Sequence, residues 1–303
     1  MLRSLLLFLS ERRALRRWME TSPAAAVLTR RFVAGQTLDR EVEVCRRLNS
    51  EGILVSLDHL GESVTSAAEA RSSLDCYIEA LRRIASESIQ ASVSVKLTQF
   101  GLELSEDLCR ENVAALLEAA RTHGGFVEFD MEAHPYVDRT LRIVTEMHAR
   151  YGSVRSVIQA YLNRSAEDVD ALCRAGIPVR LCKGAYREPP GIAFPKKRQV
   201  DQSYVRLTET LLDRGAYPAL ATHDPKMIQH ALEHVKRNGI AKDRFEFQML
   251  YGIRRDMQRR LIGEGYRLRL YVPYGDAWYP YLMRRLAERP ANLFFLARNL
   301  LRH

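Results

Sequence analysis

Residues 126–183, FVEFDMEAHPYVDRTLRIVTEMHARYGSVRSVIQAYLNRSAEDVDALCRAGIPVRLCK, decide the fold. They open on a short apolar run, Phe126–Met131, and pass into a helix-like stretch at Tyr136–Arg150. Val154–Tyr161 and Ala166–Arg174 repeat the pair, and Val179–Lys183 begins a third. Short β-branched or apolar runs read as strands, and the longer amphipathic stretches between them as helices. The alternation continues in both directions. Upstream lie Ile53–Leu57, Ala67–Ser86, Ser92–Leu97 and Glu106–Arg121; downstream lie Gln202–Arg214, Ala219–Thr222, Pro225–Lys236, Arg244–Met249, Arg254–Glu264, Leu268–Val272 and Ala277–Glu288. Strict βα alternation means parallel strands joined by crossover helices. Eight such units in about 250 residues predict an α/β fold, a closed (β/α)8 TIM-type barrel. The barrel domain is expected over 46–303 and a short N-terminal helical cap over 1–45. No GxGxxG follows the first strand, so the usual dinucleotide fingerprint is missing.

The 303 residues, 47% hydrophobic and 27% charged, belong to an ordinary globular chain rather than a disordered one. The net charge of +9 is unevenly placed: residues 1–40 hold a surplus of five cations and residues 251–303 a surplus of seven. Such a balance suits nucleic acid, an anionic membrane or a phosphate-bearing ligand, or simply solvated helix faces. Cys45, Cys76, Cys109, Cys173 and Cys182 are scattered and include no CxxC, which fits a reducing, cytoplasmic location without disulfides. Leu5–Leu9 is too short for a signal peptide or a membrane span and is followed by Glu11-Arg12-Arg13. A helix bearing Arg12, Arg13, Arg16 and Arg17 could lie on a membrane surface or pack on its own domain.

Barrel enzymes place their chemistry at the C-terminal ends of the strands. Here those ends carry Asp58-His59 with Glu62 beyond, Lys96, Asp130-Met131-Glu132, Gln159, Arg180 with Lys183, Thr222-His223-Asp224, Gln248, and Tyr271 with Tyr274. Polar groups converging from eight apolar strands predict a catalytic face. His59 and His223 are far apart in strand order and no HxH occurs, so no metal is expected. Lys96 or Lys183 could act covalently through a Schiff base. The long Arg187–Val200 connection either covers a ligand or is a loose insertion. On the last helix Tyr281, Arg284, Arg285 and Glu288 share one face. Paired guanidinium forks suit a carboxylate, and the alternative is a solvated amphipathic helix.

The chain resembles the proline dehydrogenase family, in its compact monofunctional bacterial form. The resemblance rests on Ser94-Val-Lys-Leu-Thr-Gln, Phe129-Asp-Met-Glu, Gln159-Ala-Tyr, Arg180-Leu-Cys-Lys-Gly-Ala-Tyr-Arg, Ala221-Thr-His-Asp, Phe245-Glu-Phe-Gln-Met-Leu-Tyr-Gly and the segment from Tyr271 to Pro290, in order on successive strand ends. It implies a distorted barrel that binds FAD and oxidises L-proline to Δ1-pyrroline-5-carboxylate, with electrons passed to a membrane quinone. By motif position it implies that Met131, Gln159, Lys183, Gly184, Ala185, Thr222 and His223 contact FAD. Lys96, Arg284 and Arg285 would bind substrate, the Arg pair holding its carboxylate, and Tyr271 and Tyr281 would line its ring. Asp130, Arg180 and Tyr271 would be catalytic, and Glu62 would act as a gate paired with the Arg187 region or with Arg180. Cys182 stands where relatives commonly have an aliphatic residue, and Asp224 where many have Asn. The resemblance implies proline and a membrane quinone as partners; nucleic acid is not expected, and the N-terminal surplus of cations remains a candidate for a peripheral contact on the cytoplasmic face of a membrane.

Overall fold

The structure, a computed structural model, describes residues 29, 31–61 and 63–288, with the side chains of 284–288 left undescribed. The arginine-rich segment around Arg12–Arg17 and the Glu62 gate therefore lie outside the described residues. Eight parallel strands pair in sequence order and close, β8 against β1: β1 Leu54–His59, β2 Ala91–Val95, β3 Val127–Phe129, β4 Val154–Gln159, β5 Val179–Cys182, β6 Ala219–Ala221, β7 Glu246–Leu250 and β8 Leu268–Tyr274. Helices α1 Leu38–Ser50, α2 Ala67–Ser86, α3 Glu106–Thr122, α4 His134–Tyr151, α5 Ser165–Arg174, α6 Lys197–Arg214, α7 Pro225–Arg237, α8 Arg255–Gly263 and α9 Trp278–Glu288 precede or follow the strands. This is the (β/α)8 TIM-type barrel.

Local chemistry sets the element ends. Thr37, Ser66 and Ser105 accept from backbone N–H groups at the starts of α1, α2 and α3, satisfying donors that a helix cannot pair internally. Asp224 does the same for Lys226 at the start of α7, with Pro225 in the first position. The run expected as strand through Leu97 stops at Val95, and Leu97–Phe100 is a 3-10 turn. Glu132 accepts from Thr98 N and Oγ1 at 3.1 and 2.6 Å, so a carboxylate holds that turn. Helix α6 starts at Lys197 rather than Gln202, which shortens the connection after β5.

The two faces of the strands differ. Val55, Leu57, Val93, Val95, Val127, Phe129, Leu181, Phe247, Leu270 and Val272 lie in the main apolar core with the helices. The alternate positions carry Ser56, Asp58, Ser92, Ser94, Glu128, Asp130, Arg155, Arg180, Glu246, Gln248, Arg269 and Tyr271, which bond to one another across the barrel. A second, smaller core joins Phe32, Val33, Leu60 and Ile253 to Trp278, Tyr279, Tyr281, Leu282 and Met283 of α9. Backbone bonds from Ala34 N to Pro273 O and from Gly275 N to Gly35 O fasten the two chain regions together.

Candidate active site

Strand periodicity places residues two apart on the same face, and here it stacks charges inside the barrel. In the lower layers Arg155 Nη1 meets Glu128 Oε2 at 2.9 Å and Glu246 Oε1 at 2.8 Å. Arg269 Nε meets Glu246 Oε1 at 2.8 Å. Gln248 Nε2 donates to both carboxylates, at 3.0 and 2.7 Å. One layer up, Arg180 Nη2 meets Glu128 at 2.7 Å and Nη1 meets Asp130 at 2.6 Å. Asp130 also accepts from Ser94 Oγ at 2.8 Å and from Tyr271 OH at 2.6 Å. Lys96 Nζ lies 3.2 Å from Asp58 and 3.7 Å from Asp130. Four carboxylates and four cations thus form one ladder of formal charge zero. Neutral pairing with every oxygen engaged is what makes such burial tolerable.

The electrostatics follow from that ladder. Burial alone would raise the Glu128 carboxyl, but Arg180, Arg155 and Arg269 more than offset it and hold it well below the usual range. Glu246 is likewise lowered against its burial by Arg269 and Arg155. For Arg180 the loss of water works against the charge, and Glu128 and Asp130 reverse it, leaving the guanidinium more firmly protonated than usual. Asp58 is different: burial pushes its carboxyl up, and the nearby Lys96 only partly counters this. Burial and then Asp130 push the Tyr271 phenol well above its ordinary value, so it is a donor at all working pH values.

Above the ladder a cavity of about 450 Å³ opens at the strand ends. It is lined by Lys96, Asp130, Met131, Gln159, Arg180, Lys183, Gly184, Ala185, Thr222, His223 and Tyr271, eleven residues given a catalytic, substrate or cofactor role from the sequence, and by Val157, Cys182, Tyr186, Ala221, Asp224, Gln248, Met249 and Leu250. Gly184 and Ala185 just after β5, and Ala221 on β6, are the small residues of its wall. Gly184 is required by geometry: its φ is +105°, and a Cβ there would lie 2.2 Å from the ring of Tyr161. Lys183 Nζ sits 2.8 Å from Asp224 and 2.5 Å from Asp201. Asp224 therefore both caps α7 and holds a cavity lysine. His223 Nε2 accepts from Leu250 N at 2.8 Å, and Gln159 Nε2 donates to Glu132 O at 3.0 Å. Burial pushes the Cys182 thiol up to about 11, so it is no nucleophile.

The connection after β5 is pinned, not loose. Glu188 accepts from His134 N at 3.0 Å and from Tyr161 OH at 2.9 Å. Phe194 N donates to Tyr161 O, and Leu162 bridges to Ala193. Tyr281 is buried in the second core and does not line the cavity. Arg284 and Arg285 belong to α9, and their side chains lie outside the described residues. Sequence reasoning missed Glu128, Arg155, Glu246 and Arg269. Their signal was a charge at every second position of otherwise apolar strands, as in Val127-Glu128-Phe129-Asp130.

The cavity can accept a flat, hydrogen-bonding cofactor. Arg180 lines it, and the buried Nε of Arg180 has no acceptor within the protein. The Nε of Arg155 also lacks one, but Arg155 does not line the cavity. A glycine that admits close backbone approach, with the cations Arg180 and Lys183 in the same wall, fits an anionic, ring-bearing ligand such as FAD.

The comparisons with known proteins agree with this geometry. Residues 42–298 match the sequence profile of the family described as proline dehydrogenase. Proline dehydrogenase 2 of Bacillus subtilis is 41% identical over 293 residues, 97% of this chain and 96% of its own. Proline dehydrogenase of Deinococcus radiodurans is 41% identical over 280 residues, 91% of this chain and 90% of its own. Among solved structures, proline utilization A from Bdellovibrio bacteriovorus inactivated by N-propargylglycine superposes with a TM-score of 0.81 at 26% identity, covering 87% of this chain. This chain spans about a third of that longer one, 33% of it. With profile, full-length relatives and barrel in accord, the chain belongs to the proline dehydrogenase family, and to its monofunctional type.

Proposed function

We propose that the protein is an FAD-dependent proline dehydrogenase that oxidises L-proline to Δ1-pyrroline-5-carboxylate, the first step of proline catabolism to glutamate, and delivers the electrons to a quinone. The observation that carries this reading is the cavity on the catalytic face of a chain of this family, with Lys96, Asp130, Arg180 and Tyr271 in its wall. Its size is within the usual range for cofactor pockets, roughly 300–1,000 Å³. Met131, Gln159, Lys183, Gly184, Ala185, Thr222 and His223 would hold FAD, which supplies a hydride acceptor when bound.

The chain's own residues would do the rest. Arg284 and Arg285 would grip the substrate carboxylate, and Tyr271, in the cavity wall, would bound its ring; Tyr281, packed in the second core, is not placed to do so in this arrangement. Asp130, tied to Arg180, Lys96 and Tyr271, would keep the cations and the phenol aimed at the reacting groups, which supplies orientation rather than a new bond. Because the substrate amine must shed a proton, binding and turnover should rise with pH. Lys96 and Lys183 both have their Nζ engaged by carboxylates, which disfavours the covalent amine reading. The surplus of cations in residues 1–40 supports a peripheral membrane contact that brings the protein to its quinone. Co-sedimentation with anionic liposomes at low and high salt tests that contact.

The function itself is tested by supplying L-proline with an artificial electron acceptor, then with a soluble quinone, and assaying the cyclic imine. Imine formation is expected with both; no product with any acceptor would remove the reading. Arg284→Ala or Arg285→Ala should raise the proline KM about tenfold or more, the worth of one or two charge-assisted hydrogen bonds.

A further inference from the structure

We infer that Tyr161 and Glu188 form a strut behind the cavity that positions one segment of its wall, residues 183–186, for the cofactor. This rests on the flavin-dependent reading above. Lys183, Gly184, Ala185 and Tyr186 all line the cavity, and Tyr161 and Glu188 do not. Ala185, Tyr186 and Arg187 are exposed, so packing contributes little to holding the segment. One tyrosine takes that part instead. Tyr161 N donates to Lys183 O at 3.0 Å. Its ring occupies the place where a Gly184 side chain would go. The Tyr186 backbone hydrogen-bonds to its hydroxyl, which in turn donates to Glu188 Oε1 at 2.9 Å. The wall segment is thus wrapped around one side chain and bonded to it at both ends.

Glu188 in turn fixes the tyrosine. Its carboxylate is only 2% exposed and joins two elements. Oε1 accepts from both Tyr161 OH and His134 N, and Oε2 meets His134 Nδ1 at 2.7 Å. His134 opens α4, which has no side-chain cap of its own, so Glu188 also serves an N–H that the helix cannot pair. Burial, and then Glu188, push the Tyr161 phenol well above its ordinary value, so it stays a donor at all working pH values. Phe194 N donates to Tyr161 O at 2.8 Å, which anchors the far side of the same connection. A wall already held in its bound shape needs less ordering when a ligand enters. Tyr161 and Glu188 therefore act through that wall, as positioning residues.

The test follows FAD release from diluted holoenzyme, by the fluorescence of the freed flavin, in wild type, Tyr161→Phe, Glu188→Ala, Glu188→Gln and Val113→Ala. Tyr161→Phe keeps the ring and deletes the hydroxyl. Glu188→Gln keeps the oxygen that serves Tyr161 and His134. Val113, buried on α3 and outside the cavity lining, is the control for stability alone. Melting temperatures are read for every variant. Tyr161→Phe and Glu188→Ala are expected to raise the FAD Kd about tenfold or more, the worth of a hydrogen bond to a charged group. Glu188→Gln should stay within about threefold of wild type, since its acceptor remains. Val113→Ala should melt earlier yet hold FAD as wild type does. An unchanged Kd in Tyr161→Phe and Glu188→Ala overturns the inference. So does a Val113→Ala Kd that rises as much as theirs, because affinity would then only follow stability. A Glu188→Gln as weak as Glu188→Ala also overturns it, placing the effect in the charge. Should Glu188→Ala fail to fold, Tyr161→Phe decides alone. A wild type that takes up no FAD overturns the functional reading and this inference with it. A loaded wild type with equally tight variants overturns this inference only.

Discussion

The two faces of the same eight strands do different work. Outward, Val55, Val93, Val127, Phe129, Leu181 and Phe247 pack into one continuous apolar core against the helices. Inward, where barrels of this kind are usually filled with layers of Val, Ile and Leu, this one holds Glu128, Arg155, Glu246, Arg269 and Arg180. The difference teaches that folding and chemistry are divided by strand parity. Outer positions contribute burial and tolerate exchange of one apolar side chain for another. Inner positions form a charge ladder in which every member constrains the next, ending at Asp130 and Lys96 in the cavity wall.

That division can be broken from either side. The largest effect is expected outside: Phe247→Ala should cost about 3–5 kcal/mol and lower the melting temperature by roughly 10 °C, while the surviving protein keeps its proline KM. A changed KM would show that the faces are not separable. Inside, Asp130→Ala leaves Arg180 with one carboxylate, Glu128, and removes the acceptor that Tyr271 OH meets at 2.6 Å. Breaking such a buried pair costs about 3 kcal/mol, which appears as a hundredfold or greater fall in kcat/KM if it is felt in the barrier. Steady-state kinetics decide this, and a fall below threefold would contradict the role given to Asp130. Gly184→Ala forces a left-handed backbone on alanine and a clash with Tyr161, about 1–3 kcal/mol of strain. Reduced flavin retention on gel filtration is the expected readout.

The smallest effect sharpens the comparison through pH. Glu128 and Glu246 are held below their unfolded values by the arginines around them. Their contribution to stability is therefore fully present above about pH 4.5, and is lost as the pH falls through their folded values. Asp58, raised by burial, has the opposite sign and offsets part of this. Glu246→Gln should be less stable than wild type at neutral pH yet lose fewer degrees, a difference of a few °C, between pH 6 and the acid limit. Thermal melts across that range check it; parallel curves would mean the ladder carries no pH-dependent stability.

The architecture was legible because its signal is repeated. Eight βα pairs need no single boundary to be right, and the boundaries that moved did so at ends where tertiary contacts decide, as where Glu132 captures Thr98 and stops β2. Eleven expected site residues line the cavity because strand ends converge in any barrel. What escaped was the interior. A strand flanked by helices is expected to be apolar on both faces, so the pattern alone assigns Glu128 and Arg155 no role. Only closure of the sheet brings Arg155 of β4 to Glu246 of β7, 91 positions away. The sequence likewise leaves open what Asp224 contacts, because its partner Lys183 is supplied by another strand end.

The most direct test of the account is the absorption spectrum of the purified, FAD-loaded protein during anaerobic titration with L-proline. Oxidised flavin bands that bleach in proportion to added proline, one equivalent per cavity, are the predicted result. A protein that takes up no FAD, or whose flavin bands are unchanged by saturating L-proline, would contradict it.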